Sequence, residues 1–198
     1  RRSSSAASDV YKRQIFANDS NFYAGSMSAE GAQKTSRFIR LCDTFRIPIV
    51  SLVDEPGFLI GPDAERAGTI LHGTEAVLAT TESKVPWTTI MIRKSFGVAA
   101  AAHYGPDGYV LAWPSAESGP LPLEGGVAVA FKKEIASAKN PEAKRKELEE
   151  KMAKNQSPFP RAEGFSVHEI IDPRETRKYI ALWAERIQSQ LKASLMNR

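Results

Sequence analysis

The sequence predicts a single α/β domain with buried, mostly parallel strands. Three observations predict it. Short runs rich in β-branched residues end at Pro or Gly turns. Amphipathic stretches at three- and four-residue spacing lie between those runs. The length, 198 residues, suits one domain of ordinary size. A chain of that length removes roughly 70% of its unfolded surface from water.

The elements follow in order. Residues 1–14, RRSSSAASDVYKRQ, are basic and Ser-rich, and ordered patterning begins abruptly after them. We read them as a leader foreign to the domain, and residues 15–198 as the domain itself. Ile15 to Asn18 reads as a short strand. Ser26 to Phe45 reads as a helix with Ser28 as N-cap. Phe38, Leu41, Cys42 and Phe45 form its apolar stripe. Pro48 then opens a strand from Ile49 to Val53, closed by the turn Asp54-Glu55-Pro56-Gly57. In this reading Asp54 and Glu55 are turn residues and not an acid pair. A helix from Asp63 to Thr80 carries Ile70, Leu71, Val77 and Leu78 on one side.

The pattern then repeats. Trp87 to Ile92 is a strand, Val98 to His103 a helix, and Tyr109 to Trp113 a third strand. A helix from Val127 to Ala138 follows a Gly- and Pro-rich loop. The charged stretch Glu142 to Lys154 reads as a solvated helix face. Asp172-Pro173-Arg174-Glu175 reads as a capping box opening the last helix. That helix presents Ile180, Trp183, Ile187 and Leu191.

Charge and chemistry narrow the function classes. The net charge of +4 is concentrated in residues 1–14 and between Lys132 and Lys154. It follows no nucleic-acid-binding motif. The single cysteine, Cys42, excludes an internal disulfide framework and reads as a small core residue. It fits a reducing compartment: the cytoplasm, or a mitochondrial matrix. No apolar run approaches the ~20 residues that span a bilayer. The three histidines, His72, His103 and His168, fall in no zinc-binding pattern. No nucleophile elbow, Walker loop or dinucleotide fingerprint is present.

What remains are strand-to-helix turns. The one at Arg93-Lys94-Ser95-Phe96-Gly97-Val98-Ala99 is the more informative. A strand delivers a glycine, and small residues open a helix. The first amides of a helix lack intrahelical partners and lie at the positive end of its dipole. Small side chains let a ligand approach that backbone, the arrangement of an oxyanion hole. The adjacent Arg93 and Lys94 suit a phosphate or carboxylate.

Several strings, taken together, resemble the C-terminal half of the acyl-CoA carboxyltransferase family. These are the β subunits of biotin-dependent acetyl- and propionyl-CoA carboxylases and related decarboxylase subunits. The strings include RFIRLCD (Arg37–Asp43), IPI (Ile47–Ile49), LVDEPGF (Leu52–Phe58) and GTILHG (Gly68–Gly73). They continue with RKSFG (Arg93–Gly97), AWPSA (Ala112–Ala116), EGGV (Glu124–Val127), EGF (Glu163–Phe165) and IIDPRETR (Ile170–Arg177). The resemblance spans Gly25 to Ile187.

It implies a crotonase-like spiral of ββα units in a single domain. It also implies carboxyl transfer between carboxybiotin and an acyl-CoA, with no protein acid or base at the centre. Backbone amides hold two oxyanions, one on biotin and one on the thioester. The biotin-side hole carries over to the amides of Val98 and Ala99, following Gly97. Ala101 carries over as a residue affecting acyl choice. To the binding set we add Phe58, Arg93, Lys94, Phe96 and His72. Biotin would be borne by a partner carrier, with acyl-CoA as substrate. A biotin carboxylase and a biotin carboxyl carrier would be the partner subunits. The family's active site lies between subunits of a homo-oligomer, so this half alone is expected to be inactive and to expose an apolar interface. One departure stands out. The family usually has Gly-Gly-Ala where this chain has Gly97-Val98-Ala99, and Val98 cannot take a positive φ without strain. Two alternatives stay open: a decarboxylase subunit working in the opposite direction, and an inert scaffold of the same fold.

Overall fold

The computed structural model describes residues 14–188. Residues 1–13 and Leu191 therefore lie outside the described residues. The strands are β1 (Gln14–Ala17), β2 (Ile49–Glu55), β3 (Trp87–Phe96), β4 (Tyr109–Ala112), β5 (Glu117–Gly119) and β6 (Glu169–Ile170). They form one sheet in the order β1-β2-β3-β4-β6, with β5 beside the far end of β3, and every pairing is parallel. Gln14, assigned by sequence to the leader, pairs with Ile49 and opens β1.

Parallel strands buried on both faces need apolar residues throughout, and β2 and β3 supply them. Ile49 and Trp87 face one layer, with Ile39, Cys42, Ala79 and Val85. Their neighbours Val50 and Ile90 face the other, with Leu111, Ile171, Trp183 and Ile187. The period of two thus divides the core into two slabs. Each fully buried Ile, Leu or Phe contributes about 1.5–3 kcal/mol relative to exposure.

The first slab is covered by α1 (Ala29–Thr44) and α3 (Thr69–Glu82), the second by α9 (Thr176–Arg186). The remaining helices are α2 (Pro62–Arg66), α4 (Gly97–Ala101), α5 (Leu123–Ala130), α6 (Lys132–Ser137), α7 (Pro141–Gln156) and α8 (Pro158–Glu163). Ser28 caps α1 as expected, its side chain accepting from the Gly31 amide. The charged α7 buries only Leu148 and Gln156. Among the described residues, no helix is long and apolar enough to cross a membrane.

Several sequence expectations are corrected. The helix expected over 63–80 breaks at left-handed Gly68 (φ 73°), giving α2 and α3. Most of its expected apolar side faces out: Ile70, Leu71 and Leu78 are 54, 65 and 49% exposed, while Val77 packs against the core. The buried face is made of Thr69, Gly73, Ala76, Ala79 and Thr80. Close packing of α1 against α3 favours small residues, so bulk is displaced to the outside. Gly73 is small for another neighbour as well: a Cβ there would lie 2.3 Å from the ring of Phe58, in the segment after β2. In α1 likewise, Ala32, Ile39 and Cys42 are buried while Leu41 and Phe45 are exposed. The helix expected over 127–138 is divided at Phe131 into α5 and α6. The capping box is half made. Asp172 accepts from the Arg174 amide, but Glu175 pairs with Lys178 instead of reaching back. Asp172 is held down to about 2, chiefly by its hydrogen bond from the Arg174 side chain. Glu55 is not a turn residue: β2 runs through it and it is fully buried.

Candidate functional site

The long strand β3 outruns its neighbour β4, and its last residues pair with β5: Lys94 with Glu117, Ser95 with Ser118, Phe96 with Gly119. The chain then turns at Gly97 into α4. Gly97 takes φ +64°, and a Cβ there would approach the Pro120 carbonyl oxygen to 3.4 Å. A glycine relieves both constraints. Val98 is not among the positive-φ residues, so the strained conformation falls on Gly97 and spares Val98. The Val98 side chain is 65% exposed, while Ala99 and Ala100 are buried. The amides of this first turn have no preceding helical carbonyl to meet.

The other expected site residues are distributed unevenly. Asp54, at the end of β2, accepts from Arg93 Nε at 3.0 Å and from the Lys94 amide at 3.2 Å. Arg93 therefore latches β3 to β2, and Asp54 raises its pKa through that hydrogen bond. Phe96 is buried in the core. Phe58 packs against the cluster that contains Ala99, Ala102, Met27 and Ala76. His72 bridges two helices, with Gln33 Nε2 at 2.8 Å and Glu75 Oε2 at 3.1 Å. Gly97 and Ala101 share a cavity wall; Val98, Ala99, Phe58, Arg93, Lys94, Phe96 and His72 do not line that cavity.

That cavity holds about 310 Å³ and is lined in part by Gly97, Ala101, Tyr104, Ser118, Gly119 and Arg161. Tyr104 Oη lies 2.7 Å from Ser95 Oγ. Burial pushes the Tyr104 phenol up to about 12, while the Ser95 bond and the Arg161 charge oppose the rise. Ser118 Oγ and Arg161 Nε are shielded from solvent and meet no hydrogen-bond partner. None of Tyr104, Ser118 and Arg161 was singled out by sequence. Ser118 sits on a three-residue strand, and Arg161 on a short helix far along the chain.

A second cavity, of about 620 Å³, opens beside β1 and reaches Phe16, Asn18, Met27, Glu55 and His103. At its base Glu55 accepts from Asn18 Nδ2 (2.9 Å), the Met27 amide (3.2 Å) and the Gly57 amide (3.1 Å). His103 lies 3.8 Å from Glu55 through Nε2, and its Nδ1 meets Ser51 Oγ at 3.0 Å. All three side chains are buried, so this Ser-His-acid row has no access for a substrate at its serine. It ties β1, β2 and the segment after α4 together.

Comparison with known proteins bears on this geometry. The family model described as "Carboxyl transferase domain" matches residues 13–197. The carboxyltransferase subunit of propionyl-CoA carboxylase from Haloferax mediterranei is 38% identical over 190 residues, 93% of this chain and 37% of that protein. The alpha subunit of methylmalonyl-CoA decarboxylase from Propionigenium modestum is 37% identical over 171 residues, 84% of this chain and 33% of that protein. The chain thus spans about a third of the length of the curated relatives it matches. Among solved structures, transcarboxylase 12S with methylmalonyl-coenzyme A and methylmalonic acid bound superposes with a TM-score of 0.83 at 37% identity. That match covers 88% of this chain and 34% of the other. The crotonase-like fold expected from the sequence is the fold of these neighbours. With the family model spanning nearly its whole length, the chain belongs to the carboxyl transferase domain family.

Proposed function

We propose that this chain supplies the biotin-side half of an acyl-CoA carboxyltransferase site, moving a carboxyl group between biotin on a carrier chain and an acyl-CoA. The single observation that carries the reading is the Gly97 turn. A left-handed glycine follows β3, opens α4 and lines a cavity together with Ala100 and Ala101; the Val98 and Ala99 amides next to it in the chain would be the donors. Such preorganised donors are typically worth about 10²–10³ in rate each.

The cavity fits a compact cyclic urea. Gly97, Ala100, Ala101 and Gly119 leave room for a ring, and polar atoms without partners lie nearby. Biotin, when bound, would supply the transferable carboxyl group. The chain's own part is to hold and orient. The Val98 and Ala99 amides would donate to an oxygen that becomes negative. Phe96 and Ala99, both buried, fix the turn from below. The Arg93–Asp54 latch holds the strand end in register. Positioning and fixed dipoles are sufficient for such a reaction, and no side-chain base is needed. A positive φ at Gly97 and not at Val98 supports a working turn over an inert scaffold.

The thioester-side oxyanion donors and most coenzyme A contacts would come from a segment outside this chain. The outward Ile70, Leu71, Leu78 and Val98 support assembly with that segment or another subunit, in a homo-oligomer joined by biotin carboxylase and carrier partners. The chain alone is then expected to be inactive. Similarity to a methylmalonyl-CoA decarboxylase subunit supports a second direction of the same transfer.

The test is incorporation of labelled bicarbonate by the full-length subunit with its biotin carboxylase and carrier. Acetyl-, propionyl- and longer acyl-CoAs would be compared, with and without avidin. Avidin-blocked incorporation is expected. A folded, assembled complex that carboxylates none of these acyl-CoAs, and decarboxylates none of the corresponding products, would sink the reading.

A further inference from the structure

The cavity beneath the Gly97 turn has one chemical feature that holding a neutral ring does not use. Its polar end is cationic. Arg161 is the only Lys, Arg, Asp or Glu among the described lining residues. No carboxylate among the described residues pairs with it, and its Nε is buried without a partner. Arg161 as a whole is half-buried, but a donor withdrawn from water, as its Nε is, is ordinarily paired. Ser118, 95% buried, adds a second donor whose oxygen also lacks a partner. The two come from different elements, α8 and β5, so their meeting is a product of the fold. The Arg161 carbonyl is held by the Ser166 and Val167 amides, at 2.9 and 3.2 Å, which fixes the backbone beneath the side chain. The rest of the lining is mostly apolar or small, with Met91, Val110 and Val167, Gly97, Ala100 and Ala101, beside the mutually bonded Ser95 and Tyr104 hydroxyls.

A largely apolar cavity with a guanidinium and a hydroxyl in its lining suits a carboxylate on a short methylene chain. The guanidinium fork matches a carboxylate with two parallel hydrogen bonds. We propose that Arg161 and Ser118 form a carboxylate-recognition subsite, selecting acyl-CoA substrates whose acyl group ends in a second carboxylate. Arg161 is then a specificity-determining residue, and the inference rests on the carboxyltransferase reading given above. The same carboxylate chemistry could be offered by carboxylated biotin, so the test separates the two sources.

The full-length subunit, with its carrier, is assayed with glutaryl-CoA and with pentanoyl-CoA, which have the same chain length. The wild type should prefer glutaryl-CoA. In Arg161→Gln the ratio of kcat/KM for glutaryl- over pentanoyl-CoA should fall about 10- to 100-fold, through KM, as loss of a charge-assisted hydrogen bond requires. Arg161→Lys, which keeps a point charge, should recover part of it. Ser118→Ala should lower the ratio by a few fold. An equal loss on both acyl-CoAs, with a raised KM for the carboxylated carrier, would overturn the acyl assignment and place the carboxylate on biotin. An unchanged ratio in a folded Arg161→Gln protein would overturn the subsite altogether. Calorimetric titration of glutarate into the same subunit reads the subsite without turnover. If no acyl-CoA is carboxylated yet glutarate binds the wild type and not Arg161→Gln, the reaction reading fails and the subsite stands. If glutarate binds neither, the subsite fails too.

Discussion

Two buried polar centres lie in this molecule, and they are built in opposite ways. Around Glu55 two backbone amides and an asparagine amide converge on one carboxylate. Of the His103 ring, Nδ1 meets Ser51 while Nε2, 3.8 Å from Glu55, has no hydrogen-bond partner. Around Arg161 the donors are present and the acceptor is missing. A satisfied network adds rigidity and is expensive to disturb; an unsatisfied one retains capacity for a ligand. Glu55 is fully buried, Arg161 half-buried with its Nε out of water, and the two differ in how far hydrogen bonds saturate the carboxylate and the guanidinium.

The largest test of that contrast is Glu55→Ala. Removing the carboxylate takes away the shared acceptor of Asn18 and the Met27 and Gly57 amides and opens a cavity in the core, and unfolding in urea should show a loss of about 2–4 kcal/mol. Glu55→Gln, which keeps shape and one acceptor, should cost about 1–2 kcal/mol. A Glu55→Ala protein as stable as wild type would erase the distinction drawn here.

Next is the turn that frames the open centre. Gly97→Ala forces a Cβ onto φ +64° and toward the Pro120 oxygen. It should cost about 1–2 kcal/mol in denaturant midpoint terms, with a larger loss in carboxyl transfer by the full-length subunit.

Arg161→Met should behave oppositely to Glu55→Ala. An apolar side chain replaces an unmatched charge, so thermal unfolding should show no loss and a gain of up to about 1 kcal/mol. Destabilisation by more than that would mean Arg161 is held by the scaffold after all.

The smallest effect is one of pH. A phenol held at about 12 in the folded protein, against about 10 when unfolded, favours the native state below pH 10. That contribution is lost as pH rises through 12. Ultraviolet titration should show a late-ionising tyrosine that disappears in Tyr104→Phe. Tyr109 is also pushed up to about 12, so one such group should remain.

The four longer strands were legible because β-branched runs next to Pro and Gly have few other uses; β5 and β6, three and two residues long, offer no run to read. Cys42 as core, Ser28 as cap and the Gly97 turn were legible too, since each depends on neighbours a few residues away. What the sequence concealed was long-range. The α1–α3 contact is made by Ala, Gly and Thr, and hydropathy favours the larger Ile70, Leu71 and Phe45, which face out. Glu55 looked like part of a turn because Pro56-Gly57 follows it; only β3 alongside shows that the strand continues. Arg161 carries no local signal, since its meaning lies in the absence of an acid near it.

One contact reaches further than its size suggests. Phe16 of β1 lies flat on the His103 imidazole, ring centres 4.5 Å apart and planes 9° from parallel. Ser51 of β2 holds the same ring at Nδ1, and Thr89 of β3 holds the His103 carbonyl at 2.8 Å. Three strands thus clamp the residue just beyond α4. The Gly97 turn carries its own glycine, but the helix it opens is anchored at its far end by these strands. Grafting RKSFGVAAAAH onto another strand–helix scaffold would transplant the turn and leave that anchor behind. Conversely, damage at the edge strand should reach the turn through a single histidine.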